Sequence, residues 1–97
     1  MAWLRRSRDC EQIRPLVELT GQFLIGEIDA ASYDVRFREV FSGMAPVEEE
    51  RFFALENLAV ACDSYVEDPG LRDQPEDLDE DGLRAAAVQA LVRLALV

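Results

Sequence analysis

Apolar residues recur at helical spacing in four separate parts of the chain. Within each part they lie three or four positions apart, which is typical of an amphipathic helix. The pattern predicts helices near residues 14–25, 31–43, 46–66 and 79–95. Because short connections join them, the expected fold is all-α, a single-domain antiparallel four-helix bundle.

Residues that start and stop helices support these boundaries. Asp9 and Gln12 have capping-box spacing, but Pro15 disfavours a helix that starts there, so the main helix is expected from about residue 14. Glycines that typically end helices, and polar residues or prolines that typically start them, mark the other boundaries. The expected ends are Gly26 and Gly43, and the expected starts are Asp29 or Ser32, Pro46 and Asp79.

The third predicted helix has the broadest apolar surface and is expected to be central. One row on it is formed by Phe52, Leu55, Ala59 and Cys62, and that row is widened almost all round by Phe53, Leu58 and Val60. On the fourth helix, Arg84 and Arg93 are expected on the outer face. The alanines of its inner face allow close helix approach.

Composition indicates a folded domain. The chain has 97 residues, of which 49% are hydrophobic, and this fits one globular core. The predicted division is a basic N-terminal tail over residues 1–8 and a helical bundle domain over residues 9–97. No targeting segment is evident, and no run approaches the ~18 apolar residues of a membrane span, so the expected location is cytoplasmic. Cys10 and Cys62 have no metal-ligand spacing and are expected to be free, mostly buried thiols.

Negative charge is concentrated in residues 63–84, which we call the acidic segment. The chain carries a net charge of -10, and the acidic segment holds nine acids and two arginines, so nine minus two places -7 there. Pro69-Gly70 and Pro75 interrupt any helix, which indicates a surface connection between the third and fourth helices. Like charges at this density repel one another unless a positive partner compensates them.

The charge predicts a basic protein as the partner, and neither nucleic acid nor membrane, because phosphate binding needs clustered cations. For Glu80 and Asp81, as for Asp79, a role at the start of the fourth helix is the alternative to partner contact. The expected partner-binding residues are Asp63, Glu67, Asp68, Asp73, Glu76, Asp77, Glu80 and Asp81.

The sequence contains little evidence for a catalytic site or a metal site. Histidine is absent, which removes Ser-His and Cys-His pairs and the commonest neutral-pH base. No catalytic residue, cofactor or metal ligand is therefore expected, and the protein is not expected to be an enzyme. Asp77, Asp79, Asp81 and Gly82 match the first half of a calcium loop, but Val88 stands where its bidentate glutamate belongs.

Three segments occur in a characteristic order: Phe23-Leu-Ile-Gly-Glu-Ile28, Tyr65-Val-Glu-Asp-Pro69 and Leu78-Asp-Glu-Asp-Gly-Leu-Arg84. A helix with Phe37 and Phe41 follows the first of them. Through these segments the chain resembles bacterial self-protective immunity proteins of the colicin D type, over roughly residues 16–94.

The resemblance implies a small helical protein that binds a cognate tRNA-cleaving toxin domain and occludes its basic active-site cleft. Two alternatives stay open. One is an acidic helical interaction or regulatory module with another basic protein partner, and the other is a calcium-responsive helical domain. The sequence leaves the oligomeric state open.

Overall fold

Four α-helices make up most of the computed structural model, which describes the backbone of residues 2–96 and the side chains of residues 10–96. They are α1 (Ala2–Leu24), α2 (Ala30–Ser42), α3 (Glu49–Ser64) and α4 (Glu80–Ala95). Each helix packs against the next, and α4 also packs against α1, which closes the ring. The predicted all-α, single-domain antiparallel four-helix bundle is confirmed.

The first helix starts earlier than predicted. It begins at Ala2 and contains Pro15, so the expected start near residue 14 is wrong, and so is a capping role for Asp9. Proline removes the hydrogen bond to the carbonyl of Glu11. Both residues are exposed, so water can bind that carbonyl and the helix tolerates the loss. The predicted basic tail depends on side chains that lie outside the described residues, and the domain division stays a prediction.

The predicted caps of α2 and α4 are confirmed. Asp29 and Asp79 precede the two helices, and each carboxylate accepts a backbone N–H three residues on, at 2.7 and 2.8 Å. Gly43 follows the last residue of α2. Gly26 ends the turn after α1 with a φ of 86°, a conformation that glycine adopts without strain.

The connection between α2 and α3 is longer than predicted. Residues 44–48 have no regular secondary structure and α3 begins at Glu49, so the expected start of this helix at Pro46 is wrong. Met44 and Val47 are half-buried against the core. Their packing favours this irregular path over an earlier helix start.

The start of α3 is held by a buried arginine. Arg51 is 3% exposed, and its guanidinium donates to the Glu48 carboxylate at 2.8 Å. Glu49 and Glu50 lie in the first turn, as the helix dipole predicts.

All four helices contribute to the core. The one buried side-chain hydrogen bond between helices in the described part of the chain joins the hydroxyls of Thr20 and Tyr33 at 2.8 Å. Cys62 is buried, as expected, whereas Cys10 is exposed. The buried hydrophobic residues are Ile13, Leu16, Leu19, Phe23, Ala30, Tyr33, Phe37, Ala54, Leu55, Leu58, Ala61, Cys62, Leu83, Ala87 and Ala90.

A row of aromatic rings runs from this core to the surface. Successive ring centroids are 4.4, 5.7, 5.9, 6.0 and 6.2 Å apart. The row starts in the core and ends on α3 with Phe52 and Phe53, which are 37% and 44% exposed. Apolar residues occur almost all round α3, as predicted, but not all of them are buried. In order, the rings are Phe23, Tyr33, Phe37, Phe41, Phe52 and Phe53.

Candidate partner-binding surface

The loop between α3 and α4 (residues 65–79, the α3–α4 loop) is closed at its base. The N–H of Val66 donates to the Leu78 carbonyl at 2.9 Å, and the N–H of Leu78 donates to the Ser64 carbonyl at 2.8 Å. The side chains of Tyr65 and Leu78 are half-buried against the core. Because its two ends are bonded to each other and packed on the bundle, the loop presents a defined surface.

Arg72 holds the first half of the loop from within. Its Nε donates to the Val66 carbonyl at 2.7 Å, and its Nη2 donates to the Glu67 carbonyl at 3.1 Å. The rigid fork of donors on a guanidinium suits such paired acceptors. The positive charge of Arg72 is thus directed at main-chain oxygens, and within the described residues it forms no ion pair with a loop carboxylate.

Two of the predicted partner-binding acids shape the loop backbone. Asp68 accepts the N–H of Gly70 at 2.9 Å, and Asp77 accepts the N–H groups of Asp73 and Gln74 at 3.1 and 3.0 Å. The bond of Asp68 caps the short turn Pro69–Leu71 that follows it, and the bonds of Asp77 hold the turn that precedes it. Asp68 and Asp77 therefore have a structural role at exposed or half-exposed positions.

Asp63 has a partner on α2. Its carboxylate accepts from Arg38 at 3.3 Å, and the same guanidinium binds Asp34 at 2.9 Å. A negative charge at the C-terminal end of a helix is unfavourable, and Arg38 offsets it here. Burial raises the pKa of Asp34 despite the attraction of Arg38. The Oδ1 of Asp34 is buried and has no hydrogen-bond partner in the part of the chain that is described.

Glu80 is paired along α4. Arg84 contacts its carboxylate at 3.4 Å and also donates to the carbonyls of Phe23 and Leu24 at 3.2 and 3.1 Å. The guanidinium carbon lies 4.6 Å from the centre of the Phe23 ring. Arg84 was expected on the outer face of α4, and instead it folds back on the C-terminal end of α1, whose carbonyls attract a cation.

The other four predicted residues form a distinct group. Their side chains are exposed, and within the described residues their carboxylates accept no hydrogen bond and form no ion pair. Three lie in the α3–α4 loop and the fourth in the first turn of α4. We call Glu67, Asp73, Glu76 and Asp81 the open carboxylates.

Two of the three acids of the calcium-like motif bind the backbone. Asp77 and Asp79 each bind N–H groups of their own turn. Among the described residues no group of three His, Cys, Asp or Glu side chains could hold a metal ion. In that same part of the chain, no helix combines the length and apolar character needed to cross a membrane.

Local sequence signals identify some of the residues that have a structural role in this surface. Asp68 precedes Pro69-Gly70, a pattern typical of an Asx turn, and Asp79 lies three residues before Gly82, as an N-cap does. Arg84 follows Glu80 at i+4, the spacing of a helical ion pair. For Arg72 we find no such signal, because its acceptors depend on the path of the loop.

Comparison with known proteins identifies the family of the chain. No curated protein and no solved structure matches the chain significantly. A model of the family described as bacterial self-protective colicin-like immunity matches residues 12–94, which is more than four-fifths of the chain. This match confirms the resemblance at the level of the family. The chain therefore belongs to the bacterial self-protective colicin-like immunity family.

Proposed function

We propose that the protein binds a cognate tRNA-cleaving toxin and occludes its basic active site with the acidic segment. Family membership supports a self-protective role against a colicin-like toxin. The observation that carries the finer proposal is the set of open carboxylates, three of which lie on a loop whose backbone is fixed independently of them.

Charge complementarity explains why such a surface would inhibit a nuclease. An enzyme that cleaves tRNA must be positive where it holds phosphates. Carboxylates placed on a closed loop can enter that site with little ordering on binding, which lowers the entropic cost of association. Opposite fields also accelerate the encounter of the two proteins.

The arginines near the acidic segment do not neutralise its open carboxylates. Arg38, Arg72 and Arg84 are each engaged, with Asp34 and Asp63, with loop carbonyls, and with Glu80 and the end of α1. None of them pairs with an open carboxylate in the described part of the molecule. The repulsion among those carboxylates is therefore relieved when a positive surface approaches, and the relief favours the complex.

The proposed mechanism is occlusion without catalysis. In it, the open carboxylates contact the toxin, Asp68 and Asp77 hold the loop in shape, and Asp63 and Glu80 contribute from the rim. Because tRNA is cytoplasmic, inhibition has to take place there, and we propose the cytoplasm as the site of action.

The test begins with a pull-down of the product of the upstream gene, followed by a tRNA-cleavage assay. We expect a stoichiometric complex, and we expect cleavage to stop once the immunity protein equals the toxin domain in concentration. Cleavage that continues in a saturated complex would exclude occlusion of the active site. Stable binding to a basic protein without nuclease activity would instead favour the alternative of an acidic regulatory module.

A further inference from the structure

A groove of about 350 Å³ lies at the end of α3 that is opposite the acidic segment. Its lining includes Phe41, Met44, Pro46, Val47, Glu49 and Phe52, and we call it the α2–α3 groove. The 16 residues of α3 separate it from the acidic segment by about 24 Å, at 1.5 Å per residue. It is therefore a second surface, distinct from the α3–α4 loop.

The aromatic wall of the groove is held in place before any partner arrives. Phe52 stacks on Phe41 at 6.0 Å, and Phe41 continues the aromatic row into the core. Phe52 nevertheless remains 37% exposed. A fixed, partly exposed aromatic ring beside a concave apolar floor is the kind of site in which a partner's side chain gains most on burial.

The backbone beside the groove is open to pairing. Residues 44–48 form no regular secondary structure, and the N–H and C=O groups of Ala45 and Val47 make no hydrogen bond in the described part of the chain. An extended peptide can bind such a segment through its main chain while one side chain fills the adjacent pocket.

The negative charge around the groove indicates that the segment that binds there carries a basic residue. Glu49 lines it, and Glu48 and Glu50 flank Glu49 in the chain. Among the described residues, Arg51 is a cation close to the groove, and it is buried and bound to Glu48. A segment with a large apolar side chain next to a lysine or arginine complements both the floor and the rim.

We propose that the α2–α3 groove binds such an extended apolar and basic segment of the toxin, and that this contact determines which toxin is recognised. The inference rests on the proposed function. Every nuclease has a basic phosphate-binding cleft, so the acidic segment complements cognate and non-cognate toxins alike. Discrimination needs a contact in which a wrong side chain leaves a gap or an unpaired group, and an apolar pocket provides that.

One partner can reach both surfaces. A standard interface covers about 800 Å² per partner, which corresponds to a disc about 32 Å across. The separation of about 24 Å along α3 falls within that span.

The test compares Phe52→Gln with Phe53→Gln. The two phenylalanines are neighbours with similar exposure, but only Phe52 lines the groove. Binding is measured to the cognate toxin and to a related non-cognate nuclease. We expect Phe52→Gln to raise the cognate Kd at least about tenfold through faster dissociation, with the non-cognate Kd unchanged. Phe53→Gln should leave both affinities within about twofold of the parent, as expected outside a hot spot.

A second pair of variants tests the rim without disturbing the aromatic row. Glu49→Gln should weaken cognate binding, whereas Glu56→Gln, on the same helix and outside the groove, should not. Equal losses for both toxins, or no loss with Phe52→Gln and Glu49→Gln, would overturn the inference and leave the proposed function intact. If the parent protein binds no toxin, the proposed function fails first, and the inference fails with it.

Discussion

Neutralising the open carboxylates should weaken toxin binding without harming the fold. The variant carries Glu67→Gln, Asp73→Asn, Glu76→Gln and Asp81→Asn. Each change keeps the size of an exposed side chain that bonds no other group among the described residues. The loop contacts made by Arg72, Asp68 and Asp77 stay intact, so any loss reports recognition rather than misfolding.

The expected loss follows from the energy of exposed ion pairs. Pairs of this kind contribute about 0.2–1 kcal/mol each. Four of them therefore contribute about 0.8–4 kcal/mol, and we expect the Kd to rise by a factor of about 4 to about 900, since about 1.4 kcal/mol corresponds to tenfold. Slower association should account for part of the loss. The isolated variant should melt close to the parent, because lower repulsion within the acidic segment offsets the loss of the favourable Asp81 charge in the first turn of α4.

The control variant makes the same change in net charge at positions outside the acidic segment. Glu11, Glu18, Glu27 and Glu56 are exposed and lie outside the acidic segment, so their replacement by glutamine gives the same net charge. Association and dissociation rates with the toxin domain are measured from about 0.1 M to about 1 M salt, where the Debye length falls from about 10 Å to about 3 Å. Salt should weaken the parent complex more than the complex of the open-carboxylate variant.

Equal behaviour of the two variants would refute the reasoning. It would mean that net charge matters and its position does not. Full protection by a folded open-carboxylate variant would move the binding surface elsewhere, for example to the exposed side of α2 near Arg36 and Glu39.

Three further predictions test the fold around this surface. Arg84→Met should lower stability by about 1–2 kcal/mol, since a charged donor to two carbonyls is lost, while Arg93→Met on the same helix should change the melting temperature little. Burial raises the folded-state pKa of Asp34 above 3.8, so its contribution to stability is full below that value and is lost as the pH rises through the folded-state pKa. Asp34→Asn should therefore melt higher than the parent at neutral pH and match it in acid; a lower melting temperature at neutral pH would contradict this. Ellman's reagent should label Cys10 at once but Cys62 only on unfolding, because burial raises the pKa of that thiol to about 12; rapid labelling of both would contradict the structure.

Local signals predicted the fold well. The caps Asp29, Gly43 and Asp79 work through groups three residues away or closer, so the sequence alone identifies them. The predictions at Pro15 and Pro46 were wrong because they also relied on local signals. Proline limits the geometry of its neighbours, but solvent exposure at one site and core packing beside the other decided the outcome.

The candidate surface was less predictable, because its members differ only in tertiary contacts. Glu67 and Asp68 are adjacent acids, yet Asp68 caps a turn while Glu67 stays open. Arg84 reaches carbonyls 60 and 61 residues away, which no local pattern indicates. The sequence identified the acidic segment as a whole, and the structure separates the acids that build it from those that are available to a partner.

Because the base of the α3–α4 loop is closed by backbone hydrogen bonds, the open carboxylates in the loop can be replaced without changing its path. Two backbone hydrogen bonds and Arg72 set the path of the chain without help from the open carboxylates. The three of these positions that lie in the loop can therefore change identity one at a time while the main chain keeps its course. The strength with which the loop attracts a basic cleft can therefore be tuned in single mutational steps, each of them compatible with a folded protein.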